Sequence, residues 1–218
     1  MHIPDGFVSA PIAAAGFVAA GVALAVAVRL RNRRLEERLV PLMGVMAAFI
    51  FAAQMMNFPV AGGTSGHLLG AALVTILLGP SAAMIVMACV VGVQALIFQD
   101  GGVAAMGTNV FNMAVVPVVL SYAVYNGLKP LGALNGAAGY LAAFAAAWVS
   151  VEAAALFASL ELTASGTSPL HVVLPAMLGV HAFIGIGEGL ITVAALAFIA
   201  SVRGDMFAWQ REGIVESR

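Results

Sequence analysis

The first six residues, Met1-His2-Ile3-Pro4-Asp5-Gly6, carry groups that can bind a metal ion. A bulky second residue such as His2 generally blocks removal of the initiator, so a free amine is expected on Met1. That amine lies one peptide bond from an imidazole. The amine and the deprotonated His2 amide close a five-membered chelate ring. The amide and the His2 Nδ1 close a six-membered one. Three nitrogens then lie in a plane. A second imidazole, His67, follows the Gly-rich run Val60-Ala61-Gly62-Gly63-Thr64-Ser65-Gly66 and completes a four-nitrogen set. Such a field suits Ni(II), Cu(II) or low-spin Co(II), not Zn(II), which prefers a tetrahedron. Raw affinity favours copper, so choosing another ion requires a rigid site. Asp5 and Asn57 are candidate outer acceptors, the kind of group that orients a metal-bound histidine. The competing reading is a processed, disordered terminus without a task.

The elements that must position these groups are membrane helices. The chain has 218 residues, 62% hydrophobic and 9% charged, with net charge −1. Too few charges are present to cover a water-facing surface. Long apolar runs favour helices over a barrel, so an all-α polytopic membrane protein is expected. No basic footprint for nucleic acid exists. The single Cys89 excludes a disulfide framework and reads as a small buried hydrophobe. The first apolar run has its basic cluster after it, the reverse of a secretory signal.

Seven spans are expected, near residues 7–28, 41–56, 67–78, 81–98, 103–125, 133–160 and 170–202. Five of the nine basic residues fall within residues 29–38, which marks that loop as cytoplasmic. Counting from there puts the N-terminus outside and the C-terminus inside, with every Lys and Arg on the cytoplasmic side. The third span is short for a bilayer, and a Gly-rich loop precedes it. Irregular backbone at membrane depth is tolerated only inside protein or beside a cavity. The loop at residues 57–67 is therefore expected to fold into the bundle, on the side of Met1. One domain, residues 1–218, is expected, with residues 1–6 as a metal hook.

Other polar groups inside the spans read differently. Glu152 and Glu188 are costly at membrane depth. Glu188 lies two turns from His181 on one helix face. For Glu188 a second metal site or proton relay is one reading, and a polar contact between helices or with a partner subunit is the plainer one; both acids are left out of the ligand set. His171 falls on or near the outer side, and a lone histidine in an apolar protein is more often a hydrogen-bonded structural residue than a ligand; His181 is assigned no role.

The sequence also resembles a family. Met1–Gly6 is joined by Asn57-Phe58-Pro59, Gly62-Gly63-Thr64-Ser65-Gly66-His67-Leu68-Leu69-Gly70, Gln99-Asp100-Gly101-Gly102, Asn109-Val110-Phe111-Asn112-Met113 and Gly187-Glu188-Gly189. Together these resemble the cobalt/nickel substrate-binding (S) components of energy-coupling-factor transporters, the CbiM/NikM family. The separate seven-span form is closer to the cobalt branch. The resemblance implies capture of Co(II) outside the cell, or of Ni(II), through the Met1 amine, the His2 amide and imidazole, and His67. It implies a transmembrane coupling (T) subunit, two cytoplasmic ATPase subunits and a separate small CbiN-like membrane partner, in a bacterial or archaeal cell membrane. The chain itself has no phosphate-cradling Gly-x-x-x-x-Gly-Lys-Ser/Thr run and a single lysine, Lys129. It is read as a transport subunit and not an enzyme, since no His-Glu-x-x-His occurs. A self-sufficient permease ranks lower, because no internal repeat is visible.

Overall fold

The computed structural model describes residues 1–30, 33–60, 64–128 and 136–202. Residues 31–32, 61–63, 129–135 and 203–218 lie outside these, and with them Gly62 and Gly63 of the Gly-rich run and Lys129. The chain is helical apart from one small hairpin. The elements are α1 (Ala10–Arg29), α2 (Arg33–Gln54), β1 (Phe58–Val60), β2 (Thr64–Gly66), α3 (Ala71–Leu78), α4 (Pro80–Ile97), α5 (Met106–Val110), a π-helix (Phe111–Val115), α6 (Val116–Leu128), α7 (Ala137–Ala164) and α8 (Leu170–Val202).

A helical element stands at each of the seven expected stretches. Among the described residues, α1, α4, the continuous run Met106–Leu128, α7 and α8 are long and apolar enough to cross a membrane. The apolar part of α2, Leu39–Gln54, is shorter. The second helix begins at Arg33 and not near residue 41, within the stretch expected to be a loop. The third stretch differs as well. Its helix begins at Ala71, not near His67, and all eight of its residues are buried. Gly70, at φ +79°, takes a left-handed conformation that ends the extended segment behind His67. Gly79, at φ +78°, then turns the chain, and Pro80 opens α4 with a backbone already suited to a first helical turn. A helix this short holds its place because neighbouring helices surround it.

Small residues set how closely the helices approach. On α1 the buried positions are Gly16, Ala20 and Ala27, a narrow small-residue stripe. A methyl group added at Gly16 would lie 2.6 Å from the Thr108 hydroxyl, and one at Gly107 would lie 2.4 Å from the Phe17 nitrogen. The α1 and α5 backbones therefore nearly touch, as small residues permit in lipid. On the far side, α7 buries Ala143, Ala147, Ala154 and Ala158. Against it, Gly185 and Gly189 of α8 receive the rings of Trp148 and Phe144. Cys89, expected to be buried, is exposed on α4. An apolar run buries a residue in hydrocarbon, which is not burial within the protein.

Candidate metal centre

The N-terminal segment, without regular structure over residues 1–4, is pressed into the bundle. Met1 and Ile3 are both fully buried and belong to the hydrophobic core, and His2 between them is buried too. Asn109 clamps this segment with its carboxamide. Its Oδ1 accepts the Ile3 N–H at 2.9 Å, and its Nδ2 donates to the Ile3 carbonyl at 3.0 Å. The Gly102 N–H donates to the same carbonyl at 2.9 Å. The π-helix begins two residues after Asn109, and its Asn112 donates to Glu161 of α7. Such local widenings of a helix are frequent at functional sites.

Asp5 anchors the base of the segment. Its carboxylate accepts the N–H groups of Val103 at 3.2 Å, Ala104 at 2.8 Å and Ala105 at 3.3 Å. It therefore occupies the approach to the N-terminus of α5, where a negative charge is favourable. Gly6, at φ +83°, makes the turn that follows.

Three nitrogen-bearing groups meet at the segment's tip. The Met1 amine is buried and donates to the Ser65 carbonyl and to Ser65 Oγ, the latter at 3.0 Å. The hairpin explains this position. Phe58 pairs with Gly66, Pro59 with Ser65 and Val60 with Thr64, so β2 delivers Ser65 to the amine and His67 just beyond it. The His2 and His67 rings lie 4.6 Å apart between centroids, tilted by 34°.

Hydrogen bonds assign the protons on both rings. His2 Nε2 is 3.0 Å from Gln94 Oε1, which can only accept, so the ring proton is assigned to Nε2. The Nδ1 lone pair then faces Asp100 Oδ1 at 3.5 Å. Two electron-rich atoms set toward each other are relieved by a cation. His67 Nδ1 donates to the Leu68 carbonyl at 2.8 Å. Its Nε2 is buried and has no hydrogen-bond partner among the described residues. Each imidazole is thus held in the tautomer that presents a lone pair, as histidines prepared for a metal are.

Electrostatics reinforce that state. Burial lowers the Met1 amine from 8.0 to about 4, against an opposing pull from Asp100. His2 falls from 6.5 to about 4, chiefly by burial and then by the Met1 ammonium, opposed by Asp100 and the Gln94 hydrogen bond. His67 lies well below 6.5, again through burial first and the Met1 ammonium second.

The sequence expectation brings Met1, His2 and His67 together, and so does the structure. Asn57 lies one step out. Its Nδ2 donates to Asp100 Oδ2 at 2.9 Å, so it orients Asp100 and not a ring nitrogen directly. Asp5 is spent on backbone N–H groups. His171 is exposed and plays no part here. Sequence reasoning assigned no role to Gln94, Asp100, Asn109 or Ser65. One sequence signal was available for two of them, the Gly101-Gly102 pair just beyond the end of α4. In the structure Gln99, beside it, has φ +56°, the one positive value outside glycine among the described residues. The left-handed Gln99 lets both the Phe98 and Asp100 N–H groups donate to the Gln94 carbonyl. One helix end therefore faces both nitrogens of His2, with Gln94 holding Nε2 and Asp100 set opposite Nδ1.

Gly101 and Gly102 are needed for this close approach. A methyl group at Gly102 would fall 2.1 Å from Asp5 Oδ1 and 2.4 Å from the Asp5 nitrogen. We expect Gly102→Ala to push the hook outward and lower metal affinity by about 10- to 100-fold, the range for losing a group that orients a ligand. Gly92→Ala, where nothing lies within 4 Å, is the neutral control. Equal titrations of the two variants would count against the hook geometry. An open cleft of about 450 Å³, lined by His2, Pro4, Asn57, Ser65, Asp100 and others, leads to His2 from outside the bundle.

Comparison with known proteins places the chain as a whole among metal transport proteins. A family model described as the cobalt uptake substrate-specific transmembrane region, CbiM, matches residues 2–206. A putative fused nickel transport protein NikMN of Archaeoglobus fulgidus is 43% identical over 209 residues, covering 94% of this chain and 68% of that one. The cobalt transport protein CbiM of Geobacter sulfurreducens is 29% identical over 226 residues, covering 100% of this chain and 64% of that one. A crystal structure of a truncated transition metal transporter superposes with a TM-score of 0.85 at 33% identity, over 92% of this chain and 99% of that chain.

Proposed function

The chain belongs to the CbiM family of cobalt and nickel transport proteins, and from that premise we propose that it is the substrate-capturing subunit of an ATP-driven importer for Co(II). The Met1 amine, the deprotonated His2 amide, His2 Nδ1 and His67 Nε2 are the four nitrogens that take the ion. The observation that carries this reading is the buried, unpartnered Nε2 of His67, held beside a buried N-terminal amine. Ni(II) is the alternative substrate, because it suits the same four nitrogens.

The proposal extends to topology and partners. Seven segments cross the cell membrane, with α2 and the enclosed α3 among them, the N-terminus outside and the C-terminus in the cytoplasm. The ATP-driven work belongs to partners, namely a transmembrane coupling subunit, two cytoplasmic ATPases and a small CbiN-like membrane subunit. The fused relatives favour a partner of the last kind. Competition between Co(II) and Ni(II) for the purified chain, followed by uptake with and without the ATPases, tests both parts. Strong uptake by this chain alone would favour a self-sufficient permease.

The lowered amine and imidazole values set the proton balance. In each case the folded value lies below the unfolded one, so the unfolded chain holds more protons between the two. Stability therefore rises with pH across roughly pH 4 to 8 for Met1 and roughly 4 to 6.5 for His2, and is lost on acidification. At neutral pH all three basic groups are already free of protons. We expect Co(II) binding at pH 7 to release about one proton, that of the His2 amide, because the other ligands have none to lose. Calorimetry in buffers of different ionisation enthalpy reads this number. Release of two or more protons would contradict it.

A further inference from the structure

His67 is carried to the hook by residues 67–70, which have no regular structure of their own. Two side chains hold this segment. Glu188 of α8, only 2% exposed, accepts the Leu69 N–H on Oε2 and the Gly70 N–H on Oε1, the latter at 2.7 Å. Gln54, fully buried at the end of α2, donates from Nε2 to the Leu69 carbonyl at 2.8 Å. Leu69 is thus gripped on both its N–H and its C=O.

The choice of residues has a physical reason. Gly70 is the N-cap of α3. A carboxylate from another helix takes up the N–H of Gly70 and that of Leu69 before it, and a negative charge is favourable at that helix end. A carboxylate on a membrane helix is costly, but here both oxygens are taken up by backbone N–H groups. One turn earlier on α8, Ile184 stands against the residue before His67. A methyl group at Gly66 would lie 3.0 Å from Ile184 Cδ1. Residues 184 and 188 share one helix face. So α8 lies along the backbone on both sides of His67.

We propose that Glu188, with Gln54, is the positioning pair that aims His67 Nε2 at the N-terminal hook, so that α8 sets the place of the fourth nitrogen. Neither side chain touches the ion, and the inference rests on the metal-binding reading above. A displacement of α8 along its axis is passed through Glu188 to the Leu69 and Gly70 N–H groups, and from there to His67.

The test is a double-mutant cycle on the full chain in detergent, using Co(II) alone as probe. Affinity and the visible absorption spectrum are recorded for the unaltered chain, Glu188→Gln, His67→Ala and the double variant. Glu188→Gln is expected to weaken Co(II) binding by about 10- to 100-fold and to shift the spectrum toward that of His67→Ala. The double variant should bind no worse than His67→Ala alone, which is the signature of two changes acting on one interaction. A merely structural role would weaken both backgrounds equally, and that additive result overturns the proposal. So does an unchanged Glu188→Gln spectrum. If Glu188→Gln does not fold, Gln54→Met carries the same cycle from the other side of Leu69, with the same two outcomes. Should His67→Ala itself leave Co(II) binding intact, the metal reading fails on its own. Amide exchange at Leu69 and Gly70 then still reads the anchor, and unchanged protection in the variant overturns it.

Discussion

One residue added ahead of Met1 is expected to abolish tight metal binding while the helices stay folded. Two effects combine. Acylation turns the amine into an amide, which removes its basic lone pair and breaks the five-membered ring that begins with it. The added residue also has no room. Met1 is fully buried, and its nitrogen already lies against the Ser65 carbonyl and hydroxyl. The segment would have to back out, giving up the Ile3 clamp by Asn109 and the Asp5 contacts with residues 103–105. The loss in Co(II) or Ni(II) affinity should exceed about 100-fold, more than outer groups around a ligand typically contribute. Equilibrium dialysis on chains with and without an extra alanine measures it, with circular dichroism as the check on helix content. Full affinity in the extended chain would sink the hook model. An N-terminal purification tag that is not removed down to Met1 should have the same consequence.

His67→Ala carries the second large effect. It removes the one ligand that comes from outside the hook and leaves three nitrogens on one short segment. Affinity should again fall by more than about 100-fold, since a ligand and not its support is lost. The substitution empties a buried space the size of an imidazole. Its former Nε2 had no hydrogen-bond partner among the described residues, so only its Nδ1 bond to the adjacent Leu68 carbonyl is broken. Free imidazole at millimolar concentration should enter that space and restore part of the affinity. Rescue by imidazole separates a ligand from a packing residue, because a collapsed core would not respond to it. Persistence of tight binding in His67→Ala without added imidazole would remove His67 from the site.

Both expectations concern proposed ligands that are legible in the sequence, and the reason is chemical. The Met1 amine and the His2 amide are joined covalently, so the size of their chelate rings follows from connectivity alone. The apolar runs were equally legible. A chain with 9% charged residues has no other place than a bilayer, and a helix stands at each long run, although the second begins at Arg33 and not near residue 41. α8 was read at residues 170–202 and stands there. The start of the third helix was misplaced by four residues. Its boundary lies at Gly70, which is left-handed at φ +79°, in a segment that Glu188 and Gln54 hold from distant parts of the chain.

What only the tertiary structure decided is which polar side chains serve the site. Gln94 reaches His2 across 92 residues, Asn109 reaches Ile3 across 106, and Glu188 reaches Leu69 across 119. No periodicity or local spacing encodes such pairs. Each depends on where packed helices place two side chains, and that depends on contacts such as Gly16 on Thr108, summed over the whole bundle. The hook's chemistry is written in two adjacent residues. Its partner His67, its clamp at Asn109 and its lever on α8 exist only once the bundle has closed around the N-terminus.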